Sequence, residues 1–485
     1  MRGKAKEQAE IDSEKEIVET ATVQVMGKNK YGDVTKTGVE EIINKSTGER
    51  KTEVIEDEEN VIVKFVDSNR YYKIDTKGNV EKIEVTIDQN PGNIKVGING
   101  EELDGLTENT AFEIWSIEDL VEWSKNYSMY TNSYIVLEKT LNFKSELSYC
   151  NSSTTEYNNF LGVDSDVPLI EILTNKEYDG FIPITEFNGI FDAQGYKINN
   201  LYINSSLGFI GLFGETKSSS VIKNLSISGQ IIQNSTINNC SVGGIVGYGL
   251  GRIEFCNNSC HIKKLKNNHY GCGGISGYFN GTIYCCVNNG TIESAGLAGG
   301  ITGTGTATII NCYNQGNVTV SGDWAASGIN GGDVWSNKSN IYNCYNIGNM
   351  TCEAYSIYAC PSGIFGYMPN GMTSLNIVNC WNTGETIASC WNKGGIIGFI
   401  RGITPNVLNC SYIETGTNQT SIAKPYSQSY MQSQEFTNEL NNYIESNEDG
   451  IDTKGWAKWI QVYGEYPTLD FNTIWDGEKW VTDKY

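Results

Sequence analysis

From about residue 200 to 410 the apolar positions come in short segments, three to a repeat, separated by turns of Gly, Asn and Ser. Gly299-Gly300-Ile301-Thr302-Gly303 begins one repeat, Ile310-Asn311-Cys312-Tyr313-Asn314 continues it, and Gly316-Asn317-Val318 follows. Gly-Gly-Ile-x-Gly returns at Gly243–Gly247, Gly273–Gly277 and Gly394–Gly398, with looser copies at Ile210–Gly214, Ser327–Gly331 and Ser362–Gly366. The middle glycines are 33, 30, 26, 28, 35 and 32 residues apart. A period near 30 that never fixes its length predicts stacked coils with loops of varying size.

Such segments suit a parallel β-helix, in which each strand pairs with its counterpart one coil away at about 4.8 Å. One coil cannot bury its own apolar face, so stability must come from stacking. The expected fold is mainly β: a parallel, right-handed β-helix solenoid of seven coils with an N-terminal helix, a small antiparallel sheet and capped ends. Ile245, Ile275, Ile301, Ile329, Ile364 and Ile396 should form one inward column. Cys256, Cys286, Cys312, Cys344, Cys380 and Cys410 occupy one repeat position and read as a second column of small buried thiols. Strict alternation in Ile341-Tyr342-Asn343-Cys344 would put Ile341 and Cys344 on opposite faces. A bend at the asparagine brings both inward. Tyr313, Tyr345 and Trp381 then face out on consecutive coils, and Asn258, Asn288, Asn314, Asn346 and Asn382 stack at a corner.

The flanks read differently. Residues 4–27 have helical periodicity and Thr35–Asn44 can form a second short helix. Val61–Val66, Tyr71–Ile74 and Val80–Ile87 alternate as strands, giving a helix and small antiparallel sheet over 1–88. A polar linker spans 89–110. Ser116 and Asp119 make a capping box for a helix bearing Leu120, Val121 and Trp123, so 111–200 reads as the N-terminal cap with the first irregular coils. The repeats occupy 201–412. In 413–485, a helix over Ser433–Ile444 and an aromatic segment from Trp456 to Leu469 are expected to close the C-terminal end.

Charge modifies this picture. The whole chain carries −22, yet residues 201–410 hold seven acidic and nine basic side chains, leaving −24 on the flanks. An acidic exterior disfavours nucleic acid and anionic membranes. No run of about twenty apolar residues is present to span a bilayer. Zinc chemistry is unsupported: there is no Cys-x-x-Cys, and the only histidines are His261 and His269. No cofactor is expected. Asp164, Asp166, Glu171, Glu177 and Asp179 read first as solvated loop acids, with oxygen ligands of the Ca²⁺ type as the alternative.

Ala5-Lys6-Glu7-Gln8-Ala9-Glu10-Ile11, Asn29-Lys30-Tyr31-Gly32 and the hairpin from Lys64 to Asp75 resemble the region after the hydrophobic segment of prepilin-like proteins of Gram-positive anaerobes. That resemblance implies a short leader and a membrane-spanning helix ahead of this region, through which the protein would be anchored. Ile210-Gly211-Leu212-Phe213-Gly214 and the Gly-Gly-Ile-x-Gly copies resemble GLUG-type repeats of bacterial surface proteins, some found beside immunoglobulin A peptidases. The two resemblances imply an extracellular, cell-surface protein.

The sequence offers little chemistry. Neither histidine opens a His-Glu-x-x-His pair, which excludes that class of zinc peptidase. Glu254, Glu293, Asp323 and Asp333 do not recur at one position on neighbouring coils, as a polysaccharide-cleaving β-helix would need. The expected function is adhesion or recognition of a host or environmental glycan or protein, without catalysis. A carbohydrate-active enzyme and a purely structural stalk are the alternatives. Candidate contacts are the stripe Tyr313, Tyr345 and Trp381, and the longest inter-repeat gap, which carries Trp335, Tyr355 and Tyr358.

Overall fold

The computed structural model of the chain describes residues 103–143, 178–234, 237–332, 338–389, 393–413, 423–446 and 448–482. Before these it describes residues 15, 17–22, 39, 52–57, 60–65, 70–75, 77, 79–83 and 95. The chain divides into two compact units, 1–88 and 89–485.

In the first unit residues 17–22 are helical, and four antiparallel strands follow in chain order: Thr52–Asp57, Asn60–Phe65, Arg70–Ile74 and Val80–Ile83. Val18, Ala21, Val61, Val63, Tyr72 and Ile74 form its core. The Asp75 carboxylate closes the last turn by accepting from the backbone N–H groups of Lys77 and Asn79, both at 2.8 Å. Thr52–Asp57 is a strand that the sequence reading did not include, because acids flank Val54 and Ile55 and mask any alternation.

The second unit is a parallel β-solenoid of about seven turns. Its N-terminal end is plugged by the helix Ile117–Lys125, with Ser116 Oγ accepting from the Asp119 N–H and the Asp119 carboxylate accepting from the Trp115 N–H at 2.9 Å. Trp123 from this helix lies 5.3–5.6 Å from the rings of Phe187, Phe191 and Phe213. Three sheets then run the length of the stack, one of five strands and two of fifteen. Their register follows the sequence repeat: Val246 pairs with Ser276, Ser276 with Thr302, Thr302 with Asn330, Asn330 with Phe365 and Phe365 with Ile397.

The six isoleucines of the first column and the six cysteines of the second are all buried. Both faces of the cysteine segment turn inward because the residue before each cysteine is left-handed. Asn311, Asn343, Asn379 and Asn409 have φ of 56°, 54°, 56° and 45°, and Phe255 and Cys285 take the same conformation. Asparagine tolerates that region better than other side chains. Two residues after each of the first five column cysteines, Asn258, Asn288, Asn314, Asn346 and Asn382 form a buried ladder, with Nδ2 of each donating to Oδ1 of the next at 2.7 Å. Every amide in such a ladder meets its hydrogen-bond requirement inside the core. The middle glycine of Gly-Gly-Ile makes room for this ladder: a Cβ on Gly300 would lie 2.3 Å from Asn314 Cγ.

The C-terminal segment continues the stack and then lies along its flank. Lys424–Tyr426 extends the last coil by pairing with Ser411–Ile413. The chain then turns back along the flank as the helix Gln434–Ser446 and three antiparallel strands, Ala457–Ile460, Thr468–Trp475 and Trp480–Thr482. Met431, Phe436, Leu440, Trp456 and Trp459 pack there against Tyr345, Val378 and Trp381.

Candidate recognition surface

The outward aromatic stripe is the first candidate site, and its geometry is regular: Tyr313, Tyr345 and Trp381 stack at 4.5 Å with interplanar angles of 11°. It is not available to a ligand. Tyr345 is 2% exposed and Trp381 0%, and Tyr313 is half-buried. Trp459, Tyr466 and Phe471 of the C-terminal segment cover the stripe at 5.8–6.1 Å. Alternation correctly turns these rings away from the solenoid core, but apolar rings at strand spacing also make a packing surface, and the tail occupies it. Asn311, Asn343 and Asn379 fix it in place by donating to the carbonyls of Gly455, Ala457 and Leu440 at 2.8, 2.9 and 3.3 Å.

The second candidate, the gap between Gly328 and Gly363, divides into parts. Trp335 lies outside the described residues, as does the acidic stretch from Asp164 to Glu177. Tyr355 is 72% exposed and Ile357 is 61% exposed. Tyr358 is half-buried and anchors the loop: its ring stacks on Trp324 at 6.1 Å and meets Tyr367 edge-on at 5.5 Å. Tyr367 in turn stacks on Phe399 at 5.7 Å, and the cluster covers Leu297, Ala325 and Cys360. The loop thus presents two apolar side chains from a base held by four aromatic rings.

Beside it lies a groove of about 510 Å³ lined by residues of four successive coils, from Lys263–Leu265 through Glu293–Ala295, Thr319 and Ser321 to Glu353. Glu353 belongs to both features, since it lines the groove and begins the exposed loop. At one end Glu293 lies 3.2 Å from His261 Nε2 and 3.4 Å from Lys263 Nζ. Lys264 is buried, and its ammonium donates to Asn268 Oδ1 at 2.7 Å and to the Tyr270 carbonyl. Burial pushes its pKa down to about 8. Sequence reasoning did not assemble this groove, although a signal was present. Lys263, Glu293, Thr319 and Thr351 each stand seven residues after a column cysteine, so aligning the repeats on cysteine places them in one row.

Among the described residues no cluster of three or more His, Cys, Asp or Glu side chains could hold a metal ion, and no helix is long and apolar enough to cross a membrane. No disulfide joins the described cysteines to one another, and all of them are buried. Burial raises the thiols of Cys256, Cys286, Cys344 and Cys410 well above their ordinary range, which makes them poor nucleophiles and poor ligands.

No protein-family model matches the chain, and no curated protein matches it. The chain is similar to a crystal structure from Bacteroides ovatus, of a protein provisionally identified as an immunoglobulin A1 protease. The similarity covers 76% of this chain and 95% of that one, at 15% identity and a TM-score of 0.41.

Proposed function

We propose that this is an extracellular, cell-surface display protein whose β-solenoid recognises a glycan or protein ligand without catalysis. The observation that carries the reading is the exposure of Tyr355 and Ile357 on a loop anchored by Tyr358. Exposed apolar side chains on a rigid base are the anatomy of a binding hot spot, because little ordering entropy is lost on contact. The GLUG-type and prepilin-like sequence resemblances support the surface location. The near-neutral repeats between acidic flanks suit short-range contact better than charge steering. The test is binding of the full chain to glycan arrays and to surface proteins, with Tyr355→Ala and Ile357→Ser compared with the parent. Loss of at least tenfold in affinity is expected. Equal binding by parent and variants would remove this loop from the function, and no binding to any ligand would favour a stalk.

A second reading rests on His261, Glu293 and Lys263, a carboxylate between an imidazole and an ammonium at the end of a groove. That arrangement is compatible with a polysaccharide-cleaving enzyme. Release of shorter oligosaccharides by the parent chain, abolished by Glu293→Gln, would establish this reading over the first.

A further inference from the structure

We propose that the groove from Leu265 to Glu353 takes an uncharged oligosaccharide laid across the coils; this rests on the recognition reading above and names its ligand class. Leu265, Ala295, Ser321 and Glu353 each follow directly on an in-register set of strands, so the groove crosses three strand spacings. At about 4.8 Å per spacing that is about 14 Å, the reach of a short oligosaccharide.

The charges decide which oligosaccharide fits. Lys263 is within ion-pair distance of Glu293, and Lys264 is turned inward to Asn268 and the Tyr270 carbonyl. Each cation is thus already matched within the groove, and an anionic ligand would have to compete with Glu293 for the half-exposed Lys263 ammonium. Glu353 has no cationic partner among the described residues, so the uncommitted charge in the groove is negative and repels anionic sugars. What remains suits hydroxyl groups. Carboxylate oxygens at Glu293 and Glu353 accept from sugar hydroxyls, and the Thr319 and Ser321 side chains donate or accept. Leu265, 53% exposed, supplies an apolar patch for a sugar face. An extended peptide is a poorer fit. The floor is interior sheet whose backbone groups already pair with neighbouring coils, which leaves no strand edge to extend.

The experiment is calorimetric titration of the full chain with neutral gluco-, manno- and xylo-oligosaccharides of four to six units. Uronate-containing and sulfated oligosaccharides run in parallel, each at low and high salt. Thr319→Arg, which fills the groove from a half-exposed position, and Glu353→Ala are the variants, with circular dichroism to confirm folding. Binding of at least one neutral oligosaccharide is expected, insensitive to salt, weakened at least tenfold by Thr319→Arg and less by Glu353→Ala. Binding of anionic sugars alone overturns the proposal and leaves the recognition reading standing. Neutral binding unchanged in Thr319→Arg overturns the groove. A protein ligand lost on Tyr355→Ala, with no sugar bound, overturns the ligand class while keeping the loop.

Discussion

Trp459 donates its indole N–H to the side-chain oxygen of Asn343 at 2.6 Å, across 116 residues of chain. The same asparagine accepts from Asn379 at 2.7 Å and donates to Asn311 and to the Ala457 carbonyl, each at 2.9 Å. One buried amide therefore joins three coils to the C-terminal segment.

Replacing Asn343 separates its two roles. Asn343→Gly keeps the left-handed backbone but takes one hydrogen bond from each of four buried groups, of which Asn379 Nδ2 and Asn311 Oδ1 keep another partner, a loss of about 2–4 kcal/mol. Asn343→Ala adds the cost of holding a Cβ at positive φ, about 1–2 kcal/mol more. Urea unfolding followed by tryptophan fluorescence reads both. Equal losses in the two variants would show that the left-handed bend contributes nothing.

Much of the solenoid is legible in the chain because its period forces equivalent residues into columns. The conflict between Ile341 and Cys344 under strict alternation is itself informative, since only a bend between them can bury both. The flank packing is not legible, for a physical reason. Trp456 and Trp459 would satisfy an end plug or a lateral strap equally well. The choice is made by amides on Asn311, Asn343 and Asn379 that face the C-terminal backbone, a relationship no local pattern encodes. The same gap explains the reversal at Tyr345 and Trp381, whose outward direction is readable but whose cover is not. The groove is intermediate: its rows follow from cysteine alignment, while the pairing of Glu293 with both His261 and Lys263 depends on side-chain reach.

The thiols should be inert. Twelve of the fourteen cysteines are described, and all twelve are buried, with no disulfide among them. With a disulfide-exchange reagent at pH 8, at most two thiols per chain are expected to react in the native protein, and the remainder only after denaturation. Cys344→Ala should cost about 1–3 kcal/mol, since it removes a packed sulfur and leaves the Cys312 N–H without its acceptor at 3.3 Å. Rapid native labelling of more than two sites would contradict the buried column.

Lys264 gives the chain a pH dependence of known sign. Its pKa falls from 10.5 in the unfolded chain to about 8 in the fold. Between these values the unfolded state binds a proton that the folded state does not, so this residue destabilises the fold fully below pH 8 and not at all above 10.5. The penalty is on the order of 3 kcal/mol, and the ammonium's bonds to Asn268 and Tyr270 keep it from being larger. Lys264→Met should therefore gain stability relative to the parent at pH 7, and the difference should shrink as pH rises from 8 to 10. Unfolding curves at pH 7, 8.5 and 10 test this, because tyrosine titration affects both proteins alike and cancels. A pH-independent difference would assign the effect to packing alone.

Gly300 and Asn314 provide the sharpest test of how the two halves of the repeat depend on each other. A Cβ on Gly300 would meet Asn314 Cγ at 2.3 Å and the Gly328 carbonyl oxygen at 2.1 Å. The first contact is with a side chain locked in a ladder of amides, the second with backbone, so neither yields cheaply. Gly300→Ala should lose about 3 kcal/mol or more, of the size that overpacking and backbone displacement produce. Asn314→Ala loses a similar amount by taking the Asn314 partner from Asn288 Nδ2, Asn346 Oδ1 and the Gly316 carbonyl. The double variant relieves the clash with Asn314 but keeps the one with Gly328, so its loss should fall short of the sum by about 1 kcal/mol or more. Strict additivity would mean that the glycine serves the carbonyl alone and that the asparagine ladder does not set its identity.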